Sequence, residues 1–493
     1  MVRRFPVSGV VRRVVGGPPT APVGVRARDG GVEDAVALAT VELAVRVGEA
    51  MLALGAAAVD ATRTVRGLLR TFGLAGAQVE VTFTSLVVSY ARGGAGQPLT
   101  VMRMVDDRVP DYGRLAAVLT VVEPLLAERV PAGDVVQRLA EAHEELDAVV
   151  MAPRPYRRWV VTVALAALAG AVAVLLGGGV EVVMVAAATT ALIDRVTWAL
   201  GRRGLPPFFL QVAGAAVATL VAVALFVAVP YLPVDLPVLP PSLVVASGIV
   251  VLLAGLSLVG AAEDAISGFP LTAGARTFEV VVLTLGIVVG IGAVLDVARR
   301  LGVPLEVVQG AGTGGPVLRQ VVAAAVIAIA WAVASYAGPR AILLAGAVGA
   351  VAWLVLRAVG EAGAGPAVAS AAAALAVGVL SETLGRRLGV PSVVTSVCGI
   401  VPLLPGLAVY RGLFALVNEE TGLILGIEEL LGAAMIGLGI AAGVTLGEFL
   451  GAPMRLGARR RRELPDLRRR RPAMDRLRRR RPAASSEDAG AAT

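Results

Sequence analysis

Seven ionisable residues stand within or at the rims of long apolar runs: Asp194, Asp264, Arg276, Glu279, Glu382, Arg411 and Glu448. A charge at the centre of a lipid-spanning helix costs roughly 2.5–3.5 kcal/mol on insertion scales, so such a group marks a path for polar solutes unless it sits at the interface. Asp194 adjoins Arg195 near the end of a run, where an interfacial ion pair is the competing reading. Asp264 just follows a run and reads equally as part of a solvated loop. Arg276 and Glu279 share one helical face at i,i+3 and can pair with each other, or open around a charged solute. Glu382 faces Arg386 at i+4 and carries the same two readings. Glu448, between Gly447 and Phe449, reads as interfacial.

A second constellation concerns the backbone. Pro402 and Pro405 each remove a helical hydrogen bond and Gly406 adds freedom, so a span containing PLLPG breaks near its centre. Breaks at membrane depth are tolerated where the freed backbone faces protein or a cavity, and half-helix ends then bind charged groups; a kink packed for shape is the plain alternative. Thr395, Ser396, Tyr410 and Arg411 flank the break and can supply hydroxyls and a partner for a carboxylate. The stretch has a copy: GIVVLLAGL at 248–256 matches GIVPLLPGL at 399–407, each beyond a Pro-Ser. LGIVVG at 285–290 likewise matches LGIAAG at 438–443. Two matches in one order, at separations of 151 and 153 residues, indicate a duplicated unit. The first copy keeps Gly255 but has Val251 and Ala254 for the prolines, which predicts a straighter helix there.

Composition sets the frame for these residues. Of 493 residues, 57% are hydrophobic and 17% charged, with mean hydropathy +0.79, the balance of a polytopic membrane protein. One cysteine, Cys398, excludes a disulfide framework and Cys-based zinc sites, and one histidine, His143, excludes multi-His metal sites. No GxxxxGK[ST] loop occurs, which argues against ATP hydrolysis. No cofactor and no metal are implied, and no catalytic residue is assigned.

Residues 1–31 are basic, aperiodic and interrupted by Pro and Gly, and read as a disordered lead-in rather than a signal peptide. Residues 33–150 are amphipathic and predict a small soluble α+β domain. It has a helix through 41–55 with Gly55 as C-cap, a helix capped by Asp60 and stopped by Gly73, and a β-rich run at 78–90. A partner strand at 99–104 and helices near 111–129 and 133–150 complete it. In this domain Glu49, Thr82, Thr84, Ser85, Asp106, Asp107 and His143 are the only candidates for hydrolysis. No GxSxG elbow supports that, and EAHEELD around His143 reads as a solvated helix face. Regulation or gating is the more economical role.

Apolar segments follow at 159–176, 182–200, 208–229, 243–262, 275–296, 320–337, 340–357, 366–385, 393–417 and 430–450. About 20 residues cross a bilayer as helix, so ten spans fit, five per repeat, with halves at 159–297 and 320–450. An odd number per copy inverts the second copy, giving two five-helix inverted repeats, a common plan of secondary transporters with the site near the midplane. Arg157, Arg158, Arg202, Arg203, Arg340, Arg386, Arg387 and the tail then share one side, read as cytoplasmic, with both termini there. Arg299, Arg300 and Arg319 dissent. The tail, 455–493, holds four-arginine runs at 459–462, 468–471 and 478–481. Next to the last span it reads as an anionic-lipid anchor, about 1 kcal/mol per Lys/Arg, rather than a nucleic-acid binder.

Taken together, GEAMLALGAAAVDATRTVRGLLRTFGL (48–74), VTFTSLVVSY (81–90), PRPYRRW (153–159), GLPPFF (204–209), AAEDAISGFPLTAGARTFE (261–279) and GIVPLLPGLAVYRG (399–412) resemble the threonine/serine exporters of actinobacteria and their relatives. The likeness spans about 35–450, and its specificity lies in the combination and order of the pieces. It implies a cytoplasmic N-terminal domain followed by ten spans in the bacterial plasma membrane. The implied activity is export of threonine and serine by antiport with protons; the sequence leaves a homo-oligomer open. Ala254 departs from the proline of the family pattern. Two rivals remain: a dicarboxylate exporter, for which a pocket with more Arg than acid would speak, and a membrane-anchored hydrolase acting through Ser85 and His143.

Overall fold

The computed structural model describes residues 33–91, 98–127, 134–228, 248, 251–252, 255–302, 315–417 and 423–463. The lead-in, most of the 243–254 stretch including Ala254, and the runs at 468–471 and 478–481 lie outside the described residues.

The N-terminal unit is built on two helices that end for the same local reason. Helix α1, Asp34–Ala53, begins well before the predicted 41 and ends at Gly55, whose φ of +98° suits a residue without Cβ. Just beyond it the Ala56 N–H bonds the Met51 carbonyl at 2.9 Å, closing the helix end. Helix α2, Ala58–Thr71, ends at Gly73 with φ +86° in the same manner. Asp60 is not its cap, contrary to the sequence reading: Ala57 takes that position, and Asp60 lies in the first turn.

The predicted β-run at 78–90 is two strands, β1 (Gln78–Val81) and β2 (Ser85–Tyr90), because Thr82 and Ser85 fold it back. The Thr82 N–H bonds the Ser85 carbonyl at 2.8 Å, and the Ser85 N–H bonds Thr82 Oγ1 at 3.1 Å. Strand β3, Leu99–Met104, completes an antiparallel β1-β2-β3 sheet in which Val81 faces Leu86 and Tyr90 faces Leu99. Helices α3 (Tyr112–Ala127) and α4 (Val135–Met151) close the unit. Leu43, Leu52, Leu68, Leu86 and Leu115 are fully buried between these layers, each stabilising by about 1.5–3 kcal/mol. His143 is not on a solvated face. Its Nδ1 accepts from Arg46 at 3.0 Å while Nε2 lies 3.4 Å from the Ala39 carbonyl, tying α4 to α1.

The remainder is helical. Helices α5 (Arg158–Leu175), α6 (Val180–Gly201) and α7 (Pro207–Ala228) precede α8 (Gly255–Ile266) and α9 (Pro270–Arg300). Then come α10 (Val317–Ala334), α11 (Pro339–Glu361), α12 (Pro366–Leu388), α13 (Ser392–Ile400), α14 (Gly406–Val417) and α15 (Leu423–Glu463). Among the described residues eight of these, α5, α6, α7, α9, α10, α11, α12 and α15, are long and apolar enough to cross a membrane, as in a polytopic membrane protein. Helix α15 runs through the arginines at 459–462, so the first of the three basic runs is helical rather than part of a disordered tail.

The duplicated LGIxxG motifs do the same work twice. Gly286 of α9 lies against the Phe208 carbonyl of α7, where an added Cβ would stand 2.8 Å away, and Gly290 lies closer still to the Val212 carbonyl. Gly439 of α15 meets the Ala367 carbonyl of α12, at 2.7 Å from such a Cβ, and Gly443 meets the Ala371 carbonyl. Phe208 and Ala367 each follow the proline that opens their helix. Glycines four apart present one flat face, so two apolar helices can approach backbone to backbone.

Candidate functional site

The PLLPG stretch breaks its span as its prolines require. Helix α13 stops at Ile400, Val401–Leu403 form one 3₁₀ turn, Leu404 is extended with ψ 136°, and α14 restarts at Gly406. Of the first copy only residues 248, 251–252 and 255 onward are described, so the expectation of a straighter helix there falls outside the described residues. Val251 and Leu252 lie in a turn, and α8 opens at Gly255. The two copies touch: the Leu404 side chain sits on Gly255, where a Cβ would come within 3.3 Å of Leu404 Cδ1.

A cavity of about 2060 Å³ opens beside this contact. Gly255, Pro402, Leu404, Pro405 and Gly406 form one part of its wall, with Ser396 on α13 and Arg411 on α14. Helix α9 contributes Arg276 and Glu279, α12 contributes Glu382 and Arg386, and α15 contributes Glu448. Glu448, read from sequence as interfacial, is thus a wall residue. The wall continues into the N-terminal unit through Asp60, Arg63, Phe83, Arg108 and Tyr112, and into α8 through Glu263. Sequence reasoning missed Asp60 and Arg108 as site residues because neither lies in or beside an apolar run, and it passed over Glu263 although that residue stands between the 243–262 run and Asp264.

Asp264 is fully buried, not solvated, and it joins the two parts of the molecule. Its Oδ2 lies 3.2 Å from Arg276 Nη1, and its Oδ1 accepts from the Ala58 N–H at 3.2 Å. A carboxylate from α8 therefore caps α2, satisfying a first-turn N–H and meeting the positive end of the helix dipole. Arg276 turns to Asp264 rather than to Glu279, and Gly260 leaves room for its guanidinium. Further ties are Thr272 Oγ1 to the Val81 carbonyl at 3.4 Å, the Tyr112 N–H to the Ser335 carbonyl at 2.8 Å, and Tyr156 Oη to the Ala337 carbonyl at 3.0 Å.

Other predicted residues have separate roles in the structure. Asp194 lies outside the cavity wall, paired with Arg158 and accepting from Thr162 Oγ1 at 2.7 Å, which links α6 to α5. Thr395 turns its hydroxyl back to the Pro391 carbonyl at 3.4 Å, and Ser396 does the same toward Val393 at 3.2 Å. Glu382 accepts from Ser392 Oγ at 2.8 Å. Tyr410 lies in α14, and its side chain is outside what the structure describes.

The electrostatics of the wall have two characters. Asp60 is within electrostatic reach of Glu263, Glu382 and Glu448, and Glu448 of Glu263 and Glu382. Burial holds the Asp60 carboxyl above its ordinary range, against the opposing pull of Arg63 at 2.9 Å. Arg108 stacks over Phe83, 4.4 Å from its ring centroid, and donates to the Phe83 carbonyl; burial lowers its pKa to about 10, so it stays cationic at neutral pH. Among the described residues no three His, Cys, Asp or Glu side chains are placed to hold a metal. Nor do Ser85 and His143 form a dyad, since Ser85 Oγ pairs with Thr82 Oγ1 at 2.8 Å and His143 with Arg46.

Comparison with known proteins agrees with this organisation. A family model described as a putative threonine/serine exporter matches residues 42–298, and a second threonine/serine exporter model matches 320–450. A probable threonine/serine exporter of Mycobacterium tuberculosis is 38% identical over 440 residues, 87% of this chain and 80% of that protein. A threonine/serine exporter of Corynebacterium glutamicum is 34% identical over 418 residues, 84% of this chain and 82% of that one. No solved structure matches the chain. With both halves matched and relatives of this identity across most of its length, the chain belongs to the threonine/serine exporter family.

Proposed function

We propose that this protein is a multi-pass carrier of the bacterial plasma membrane that exports threonine and serine in exchange for protons, through the cavity beside the PLLPG break. The observation that carries this reading is a cavity in which an interrupted helix meets side chains of both charges. A zwitterion needs both, and an interrupted helix supplies free backbone groups at depth. Family membership directs the choice toward small hydroxy amino acids, and the family is one of exporters rather than enzymes.

In this reading α8 and the stretch before it count as one span, and α13 with α14 as another, giving ten spans in two inverted halves. The paired glycine contacts of α9 on α7 and α15 on α12 support the duplication. The N-terminal unit packs against the ends of α8, α9 and α10 on the side of Arg158, Arg202 and Arg340, which the distribution of positive charge makes cytoplasmic. Of the dissenting charges, Arg300 is paired with Asp296 at 2.9 Å and Arg319 bonds the Gly178 carbonyl at 2.5 Å.

The dicarboxylate reading is less well supported. Among the described wall residues six acids (Asp60, Glu123, Glu263, Glu279, Glu382 and Glu448) stand against five arginines (Arg63, Arg108, Arg276, Arg386 and Arg411). Counterflow of labelled threonine in proteoliposomes across a pH gradient tests the assignment. The expected result is threonine and serine exchange that an uncoupler reduces; succinate exchange without threonine exchange would select the rival.

A further inference from the structure

We propose that the N-terminal unit is part of the transport site itself, with Asp60 receiving the substrate ammonium beside Glu263 and Glu448 while Arg108 receives its carboxylate. This deepens the exporter reading and rests on it.

Three observations converge. Asp60 and Arg108 belong to the N-terminal unit, yet both line the same cavity as the PLLPG break. Of the cations near the acidic wall, Arg63 pairs with Asp60 at 2.9 Å but is 73% exposed at its side chain, and Arg276 is committed to Asp264. Carboxylates gathered in a largely apolar wall favour a mobile cation, and an ammonium group suits them. Arg108, in the same cavity wall, has one guanidinium nitrogen, Nη1, that is buried without a hydrogen-bond partner. A buried donor of this kind is costly unless an acceptor arrives, and a planar carboxylate matches the guanidinium geometry.

The positions are fixed rather than adventitious. The Asp264 cap on Ala58 holds the first turn of α2, where Asp60 sits two residues further on. Arg108 is held from two directions, by the Phe83 ring and the Phe83 carbonyl. A unit that only gated the path from outside would need no charged groups in the wall.

The test uses the full chain in proteoliposomes and three probes: labelled threonine, threoninol (no carboxylate) and 3-hydroxybutyrate (no ammonium). For Asp60→Asn the threonine KM is expected to rise about tenfold or more with kcat little changed, because a charge-assisted contact is lost. Inhibition by 3-hydroxybutyrate should stay as in wild type, and Asp60→Glu should recover much of the affinity. Arg108→Gln gives the complementary pattern, a raised KM for threonine and unchanged inhibition by threoninol, and it serves if Asp60→Asn does not fold. A fall in kcat at unchanged KM, or equal effects on all three probes, overturns the proposal. A wild-type protein that moves neither threonine nor serine overturns the exporter reading instead, so the two failures are distinct.

Discussion

Replacing Asp264 by Asn tests the joint between the two parts of the molecule. The side chain is fully buried, 3.2 Å from Arg276 Nη1 on one oxygen and 3.2 Å from the Ala58 N–H on the other. Asn keeps an oxygen for Ala58 but removes the charge, leaving Arg276, at 13% side-chain exposure, without its partner. Breaking one end of a buried pair costs about 3–5 kcal/mol, because the surviving charge is left uncompensated. Asp264→Ala also orphans the Ala58 N–H, adding about 1–3 kcal/mol. The double variant Asp264→Asn, Arg276→Gln should lose less than the sum of its parts, with a coupling of about 0.5–3 kcal/mol. Unfolding of the purified protein in mixed micelles of fixed composition, run as a double-mutant cycle, gives these differences. An Asp264→Asn protein within about 0.5 kcal/mol of wild type, or a cycle with no coupling, would refute the assignment of Asp264 as the joint.

Three further outcomes follow from other contacts. Because burial raises the Asp60 pKa from 3.8, its ionisation opposes folding, and that penalty enters as pH rises through and above the ordinary carboxylate range. Asp60→Asn should therefore be more stable than wild type at pH 7 and indistinguishable near pH 3, which unfolding midpoints across that range would show; equal midpoints at pH 7 contradict it. Gly443→Val should lower the yield of folded protein sharply, since its first side-chain carbon would overlap the Ala371 carbonyl, whereas Gly432→Val, which meets nothing, should be neutral by gel filtration. Pro405→Ala, alone and with Pro402→Ala, should leave folding intact but slow threonine counterflow by about tenfold or more, as a continuous helix becomes accessible; unchanged counterflow would make the break a packing feature only.

Much of this protein is legible from residue order because its strongest signals are local. Apolar runs of span length, the glycines ending α1 and α2, and the two prolines of PLLPG act within a few residues, so their consequences survive into the fold. The duplication was likewise visible as paired motifs, before the glycine contacts gave it a physical meaning. Boundaries were less secure. The start of α1 and the Thr82–Ser85 turn depend on neighbours that no short window contains.

Roles of charged residues divide in the same way. That Asp264, Arg276, Glu382 and Arg411 are costly to place in apolar surroundings follows from composition alone. Which of them faces a path does not. Asp194 looks equivalent in sequence, yet it is spent on Arg158 and Thr162 between two helices. Asp264 is spent on Arg276 and on a helix end 206 residues away. Asp60 and Arg108 carry no sequence mark of a site, because their surroundings are made by packing one unit against another. Local pattern predicted apolar helices of span length, the break and the paired motifs; only the tertiary structure, by bringing distant elements to one wall, decided which charges meet which partners.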